Sequence, residues 1–158
     1  LHEPDGRKWL VNRRWDHLTD NDSFAGIVLQ GYAAEQELLT GPVFPIYKGT
    51  ALGLTEGPHL YRKDGWYYLI TAEGGTQYNH AVTVARSRNI EGPYETASHN
   101  PLLTSAGNSE LELQKAGHGC LVYTHTDEWY MVHLCGRPVK EKYCNLGRET
   151  AIQRCEFT

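Results

Sequence analysis

Apolar and aromatic residues fall in short alternating runs along this chain, and one arrangement of turn and run is written three times. The copies read Pro4-Asp-Gly-Arg-Lys-Trp-Leu-Val-Asn12, Arg62-Lys-Asp-Gly-Trp-Tyr-Tyr-Leu-Ile-Thr71 and Thr124-His-Thr-Asp-Glu-Trp-Tyr-Met-Val-His133. In each, a polar turn at Asp5-Gly6, Asp64-Gly65 or Asp127-Glu128 leads into a Trp and a strand-length apolar run. Asp-Gly supplies the positive φ of a tight turn and the residues after it alternate sides, so each copy predicts a β-hairpin. The three Trp residues, at 9, 66 and 129, lie 57 and 63 positions apart. A period near sixty with about four short strands per unit predicts propeller blades, over roughly residues 1–50, 51–105 and 106–158.

A second apolar stretch follows each hairpin: Gly26–Tyr32, Ala81–Ala85 and Thr150–Gln153. The first two end at Gly41-Pro42 and Gly92-Pro93, which read as turns between strands. Ala33–Leu39 is compatible with a helix or with an extended approach to the Gly41-Pro42 turn, and no other stretch sustains a 3.6-residue period. The fold class expected is therefore all-β. Three blades do not close a ring, since propellers use about four to eight, so the expectation is a piece of a larger protein. Leu1 fits this, standing beside a turn with no strand before it and no initiator Met. The lack of a leader segment then carries no information about location.

Composition adds bounds. A net charge of −4 with no run of Lys or Arg argues against a nucleic-acid partner. No apolar stretch reaches the roughly 18 residues of a membrane span. The four Cys, at 120, 135, 144 and 155, match no zinc spacing, and the burial preference of Cys even when unpaired predicts buried free thiols. Some of the ten Tyr and four Trp must be core, yet flat aromatic faces also suit the C–H edges of a sugar ring.

Candidate chemistry comes from the segments ahead of two hairpins. Glu56 lies ten residues before Trp66, and His118 lies eleven before Trp129. These near-equivalent places would start the innermost strands of successive blades, where side chains point at the propeller axis and a carboxylate and an imidazole would meet. The alternatives are a solvated turn carboxylate ahead of Gly57-Pro58 and a hydrogen-bonded structural His between glycines.

Six ordered motifs carry a resemblance: Thr55–Tyr61, Thr71–Thr76, Ala85–Ser87, Gly92–Tyr94, Gly117-His118 and Leu146–Ala151. Together, from Leu1 to about Glu156, they resemble the β-xylosidases of glycoside hydrolase family 43. The resemblance implies a five-bladed propeller and inverting hydrolysis of β-1,4-xylosides from the non-reducing end, often with α-L-arabinofuranosidase side activity. It implies that Glu56 is the general acid, which must hold a proton near neutral pH. His118 would lie beneath the sugar in the glycone subsite, and Arg148 would bond its hydroxyls with a planar fork of donors, a structural salt bridge to Glu149 or another acid being the alternative. Glu73 and Thr76 would line the leaving-group side, unless Gly74-Gly75 is only a turn.

The departures are specific. The family's general base, an Asp of the first blade, and a second Asp that tunes the acid both match positions ahead of Leu1. Neither Asp5, in a turn, nor Asp16, past the hairpin, replaces them. Arg137–Asn145 is also shorter than the resemblance calls for. Within the propeller class an arabinofuranosidase or arabinanase is the alternative enzyme, and a carbohydrate-binding propeller without chemistry is the alternative outside enzymes. No cofactor is expected; some relatives hold a divalent ion near the central His, here His118, but one His without a ligand cluster is weak evidence. The partner implied is a xylo-oligosaccharide or an arabinoxylan-derived substrate, with a cytoplasmic location by analogy and an oligomeric full-length protein left open.

Overall fold

A computed structural model describes residues 1–15 and 25–157 of the chain. Every regular element among them is a strand. The Asp-Gly hairpins form as expected, with Asp64 and Gly65 at φ 50 and 73 between β4 (Glu56–Lys63) and β5 (Trp66–Glu73). The strands group into three antiparallel sheets. The first runs β1 (Trp9–Arg14), β2 (Gly26–Ala33), β3 (Leu38–Tyr47). The second runs β4, β5, β6 (Ala81–Ser87), with the short β7 (Glu95–Thr96) and β8 (Leu103–Thr104) both paired to β6. The third runs β9 (Gln114–Tyr123), β10 (Trp129–Gly136), β11 (Glu149–Cys155).

The middle sheet is covered on both faces, as stacked blades require. Along β5 the side chains alternate: Tyr67 and Leu69 join Ile27, Leu29, Ile46 and Tyr47 of the first sheet, while Ile70 joins Val82 and Met131 on the side of the third. Period-2 alternation thus sends one strand into two cores. Glu3 ties the first two sheets polarly: buried at 6% exposure, it accepts from Tyr67 Oη at 2.7 Å and Arg62 Nη1 at 3.2 Å. Leu1 and Trp9 exchange backbone hydrogen bonds of 2.9 Å, so Leu1–Glu3 occupies beside β1 the place that β4 holds beside β5.

Three expectations change. Gly41-Pro42 is not a turn between strands; β3 runs through it, and the pairing slips between Leu29↔Phe44 and Gly31↔Thr40. An edge strand tolerates this because Pro has no N–H to give to a ladder. Of the two alternatives for Ala33–Leu39 the helix does not form: residues 34–37 are the β2–β3 turn, with Glu37 at φ 55, and Leu38-Leu39 are extended at the start of β3. All four Cys are free as expected, but only Cys135 is buried; the other three are half-buried, Cys155 on the edge strand β11 against the Ile70, Val82 and Met131 cluster and Cys144 in a loop.

Candidate active site

Glu56 opens β4 opposite Ala72, and the next rung pairs His59 with Ile70. Three residues on β4 therefore face two on β5, a β-bulge at Gly57-Pro58 with Gly57 at φ 55. Bulges bend a strand and re-aim side chains, and here the bulge turns the Glu56 end of β4. Arg13, from β1, donates through Nη1 to Glu56 Oε2 at 2.6 Å. The two side chains are 25% and 29% exposed, so solvent still reaches the carboxylate. The Arg13 guanidinium also lies over the Trp15 ring, 3.8 Å from its centroid.

His118 sits in a matching irregularity of β9, between the rungs Val132↔Cys120 and Leu134↔Gly117, at φ 50. The equivalence read from spacing is offset. Glu56 faces a rung six residues past Trp66, whereas His118 falls between rungs three and five residues past Trp129, because the third hairpin has a longer turn, Thr124–Glu128. The two residues still come together. The His118 ring packs on Gly57, where an added Cβ would stand 2.5 Å from Nε2; only glycine leaves room for the imidazole there.

A second glycine–imidazole contact lies beneath the first. His80, just ahead of β6, is 2% exposed and presses on Gly117, whose added Cβ would meet ring atoms at 2.4 Å. Its Nδ1 is 3.0 Å from the Lys115 carbonyl oxygen, and its Nε2 is buried with no hydrogen-bond partner among the described residues. Burial pushes the His80 ring below the ordinary histidine value, the Lys115 carbonyl opposes this, and the charges of His118, Glu56 and Arg148 add smaller effects of both signs. His59 is lowered too, by burial and then by His118. Among the described residues no three His, Cys, Asp or Glu side chains gather so as to hold a metal ion.

His80, Thr76, Lys115 and Arg148 line one cavity of about 270 Å³, with Cys135 and Cys144 in its wall. Thr76 and Arg148 are thus brought together, and Arg148 is exposed. The salt bridge to Glu149 is not made: Glu149 Oε1 pairs with Arg137 Nε at 3.5 Å instead. Glu73 is not brought to this cavity. It is 0% exposed, and its carboxylate accepts from Thr50 N at 3.1 and 3.0 Å, from Thr50 Oγ1 at 2.5 Å and from Thr83 Oγ1 at 2.9 Å. Glu73 is an internal anchor for the 48–55 loop, which is a correction to its expected place beside a leaving group. Asp16 lies outside the described residues. Sequence reasoning missed Arg13 and His80: neither sits in a repeat-equivalent position, and only contacts between blades reveal them.

The sequence as a whole decides the family, since residues 1–158 match the profile of Glycosyl hydrolases family 43. The chain belongs to that family. It is 52% identical over 163 residues to a β-xylosidase of Bacillus subtilis (strain 168), covering 98% of this chain and 31% of the relative. It is 54% identical over 154 residues to the xylosidase/arabinosidase 43B of Humicola insolens, covering 97% and 29%. The crystal structure of xylan β-1,4-xylosidase from Bacillus halodurans C-125 superposes with a TM-score of 0.95 at 63% identity, covering all of this chain and 30% of that one. The chain therefore spans about three tenths of the length of these family members, and its three sheets are a partial propeller.

Proposed function

We propose that this chain carries the acid side of the active site of an inverting β-xylosidase that removes xylose from the non-reducing end of xylan-derived oligosaccharides. The observation that carries the reading is Glu56: a solvent-reachable carboxylate at the bulged start of a blade's first strand, with His118 of the next blade packed against its neighbour Gly57. Glu56 protonates the leaving glycosidic oxygen, His118 floors the glycone subsite, and Arg148 and Thr76 bond sugar hydroxyls from the adjoining cavity. Inversion needs a second carboxylate about 6.5–9.5 Å from the acid to activate water. Glu73 does not serve, because donors from Thr50, Thr71 and Thr83 hold it inside the middle blade. In this reading the base comes from a part of the propeller outside these residues.

In the full-length protein, Glu56→Ala is expected to lower kcat/KM for xylobiose by about 10²–10⁴-fold, the usual range for losing a general acid. Aryl xylosides with good leaving groups need little protonation and should lose much less. Equal losses on both substrates would remove Glu56 from the acid role. The same assay with aryl α-L-arabinofuranosides tests the second reading, favoured by the Humicola relative's double name, in which arabinose is also a glycone.

A further inference from the structure

We infer that His80 is a further sugar-binding residue, its Nε2 accepting a hydrogen bond from a hydroxyl of the pentose that Arg148 and Thr76 engage in the 270 Å³ cavity. The inference deepens the reading just proposed and rests on it for the identity of the ligand.

The tautomer follows from the hydrogen bond already made. The Lys115 carbonyl can only accept, so the proton of the neutral ring is on Nδ1, 3.0 Å away, and Nε2 presents a lone pair. That lone pair is buried without a partner among the described residues, on a ring 2% exposed. A buried acceptor left unpaired costs about 1–3 kcal/mol, and native structures rarely retain one without a ligand, a water or a function to explain it. The other polar side chains of the cavity explain what fits. Arg148 and Lys115 only donate, and the Thr76 hydroxyl can do either. Apart from the Thr76 hydroxyl, these side chains offer a sugar's hydroxyl oxygens donors but its hydroxyl hydrogens no acceptor. His80 supplies a further acceptor, so one sugar hydroxyl can take a hydrogen bond from Arg148 while giving one to Nε2. The match is to neighbouring hydroxyls of a pentose rather than to a carboxylate or phosphate, which would bring no hydrogen for Nε2.

The orientation of the ring is held by groups outside the ligand's reach. Gly117 admits the ring at a separation no other residue allows, and Thr104 Oγ1 donates to the His80 carbonyl oxygen at 2.8 Å. The ring is thereby fixed before any sugar arrives, which reduces the ordering cost of binding.

The test uses the full-length protein and two substitutions. His80→Asn keeps an N–H for the Lys115 carbonyl but removes the acceptor at Nε2; His80→Gln can place an amide oxygen near Nε2. Titration calorimetry with xylose and kcat/KM for xylobiose are read for both. The expectation is about tenfold weaker binding and turnover for His80→Asn, the scale of one lost hydrogen bond to a buried group, with His80→Gln nearer the wild type. A purely structural His80 reverses that order, since Asn keeps the Lys115 bond, and that result overturns the inference. So does a His80→Asn protein that binds xylose as the wild type does; the xylosidase reading survives both results. If the wild type neither binds xylose nor cleaves xylobiose, that reading falls and the ligand assigned to His80 falls with it. Should both variants fail to fold, the wild-type crystal structure with xylose decides: a sugar oxygen within about 3.2 Å of Nε2 is required, and a water or empty space there refutes the proposal.

Discussion

Two glutamates, each followed by glycine, show how much a residue's role depends on its surroundings. Glu56-Gly57 and Glu73-Gly74 both stand at ends of neighbouring strands of one blade. Glu56 meets the Arg13 guanidinium and solvent, whereas Glu73 faces a shell of threonines and a backbone N–H. Removing the second carboxylate would strand the Thr50 amide and the Thr50 and Thr83 hydroxyls. Glu73→Ala is therefore expected to destabilise the folded protein by roughly 2–4 kcal/mol, as several buried donors lose one acceptor. Urea unfolding of the full-length protein measures it, and a loss under about 0.5 kcal/mol, the scale of an ordinary surface change, would contradict the anchoring role. Gly49, at φ +94, belongs to the same device, since its added Cβ would stand 1.8 Å from Thr55 Oγ1 and 3.2 Å from Glu73 Oε1.

Among the elements, the bulges of β4 and β9 do the positioning. A regular ladder would alternate side chains strictly across each blade, and the extra residue in each strand breaks that alternation where Glu56 and His118 stand. The bulges put backbone in the left-handed region at Gly57 and His118, at φ 55 and 50, which glycine takes without steric cost and His visits more often than most side chains. Between the bulges, the layered contacts Gly57–His118 and Gly117–His80 lock adjoining blades together. Gly117→Ala would drive a methyl to 2.4 Å from the His80 ring, and overpacking of this kind costs about 1–3 kcal/mol. The expected result is a lower melting temperature and weaker xylose binding together. If Gly117→Ala leaves both unchanged, the two rings are not held by this contact.

At the scale of the whole molecule, the blade interfaces store ionisable rings in their neutral form, and stability should depend on pH accordingly. Burial lowers His59 and His80 below the ordinary value of 6.5. A group depressed in the folded state stabilises fully above its unfolded value, and that contribution fades as pH falls toward the folded one, because the unfolded chain takes up the proton first. The two histidines thus make the fold progressively weaker below about pH 6.5. Tyr47, Tyr61 and Tyr67 are raised, chiefly by burial, so their contribution is complete below pH 10.0 and fades above it. Unfolding free energies measured from pH 5 to 8 should rise with pH, and His59→Asn should flatten the acid limb. An unchanged slope in that variant would show that His59 does not contribute.

The run-and-turn pattern by itself determined the hairpins, the strand character and the threefold repeat, because Asp-Gly turns and period-2 alternation act over a few residues. The motif at Thr55–Tyr61 likewise marked Glu56 from the sequence alone. The tertiary structure decided what depends on coverage by another blade. It buried Glu73 and left Glu56 open, moved His118 two rungs from its expected equivalence yet still against Gly57, and carried β3 through Gly41-Pro42 at a sheet edge. It also brought in Arg13 and His80, whose partners lie 43 and 35 residues away. Alternation tells which side of a strand a residue takes; only the packing of one sheet on the next tells whether that side meets solvent, a core or a sugar.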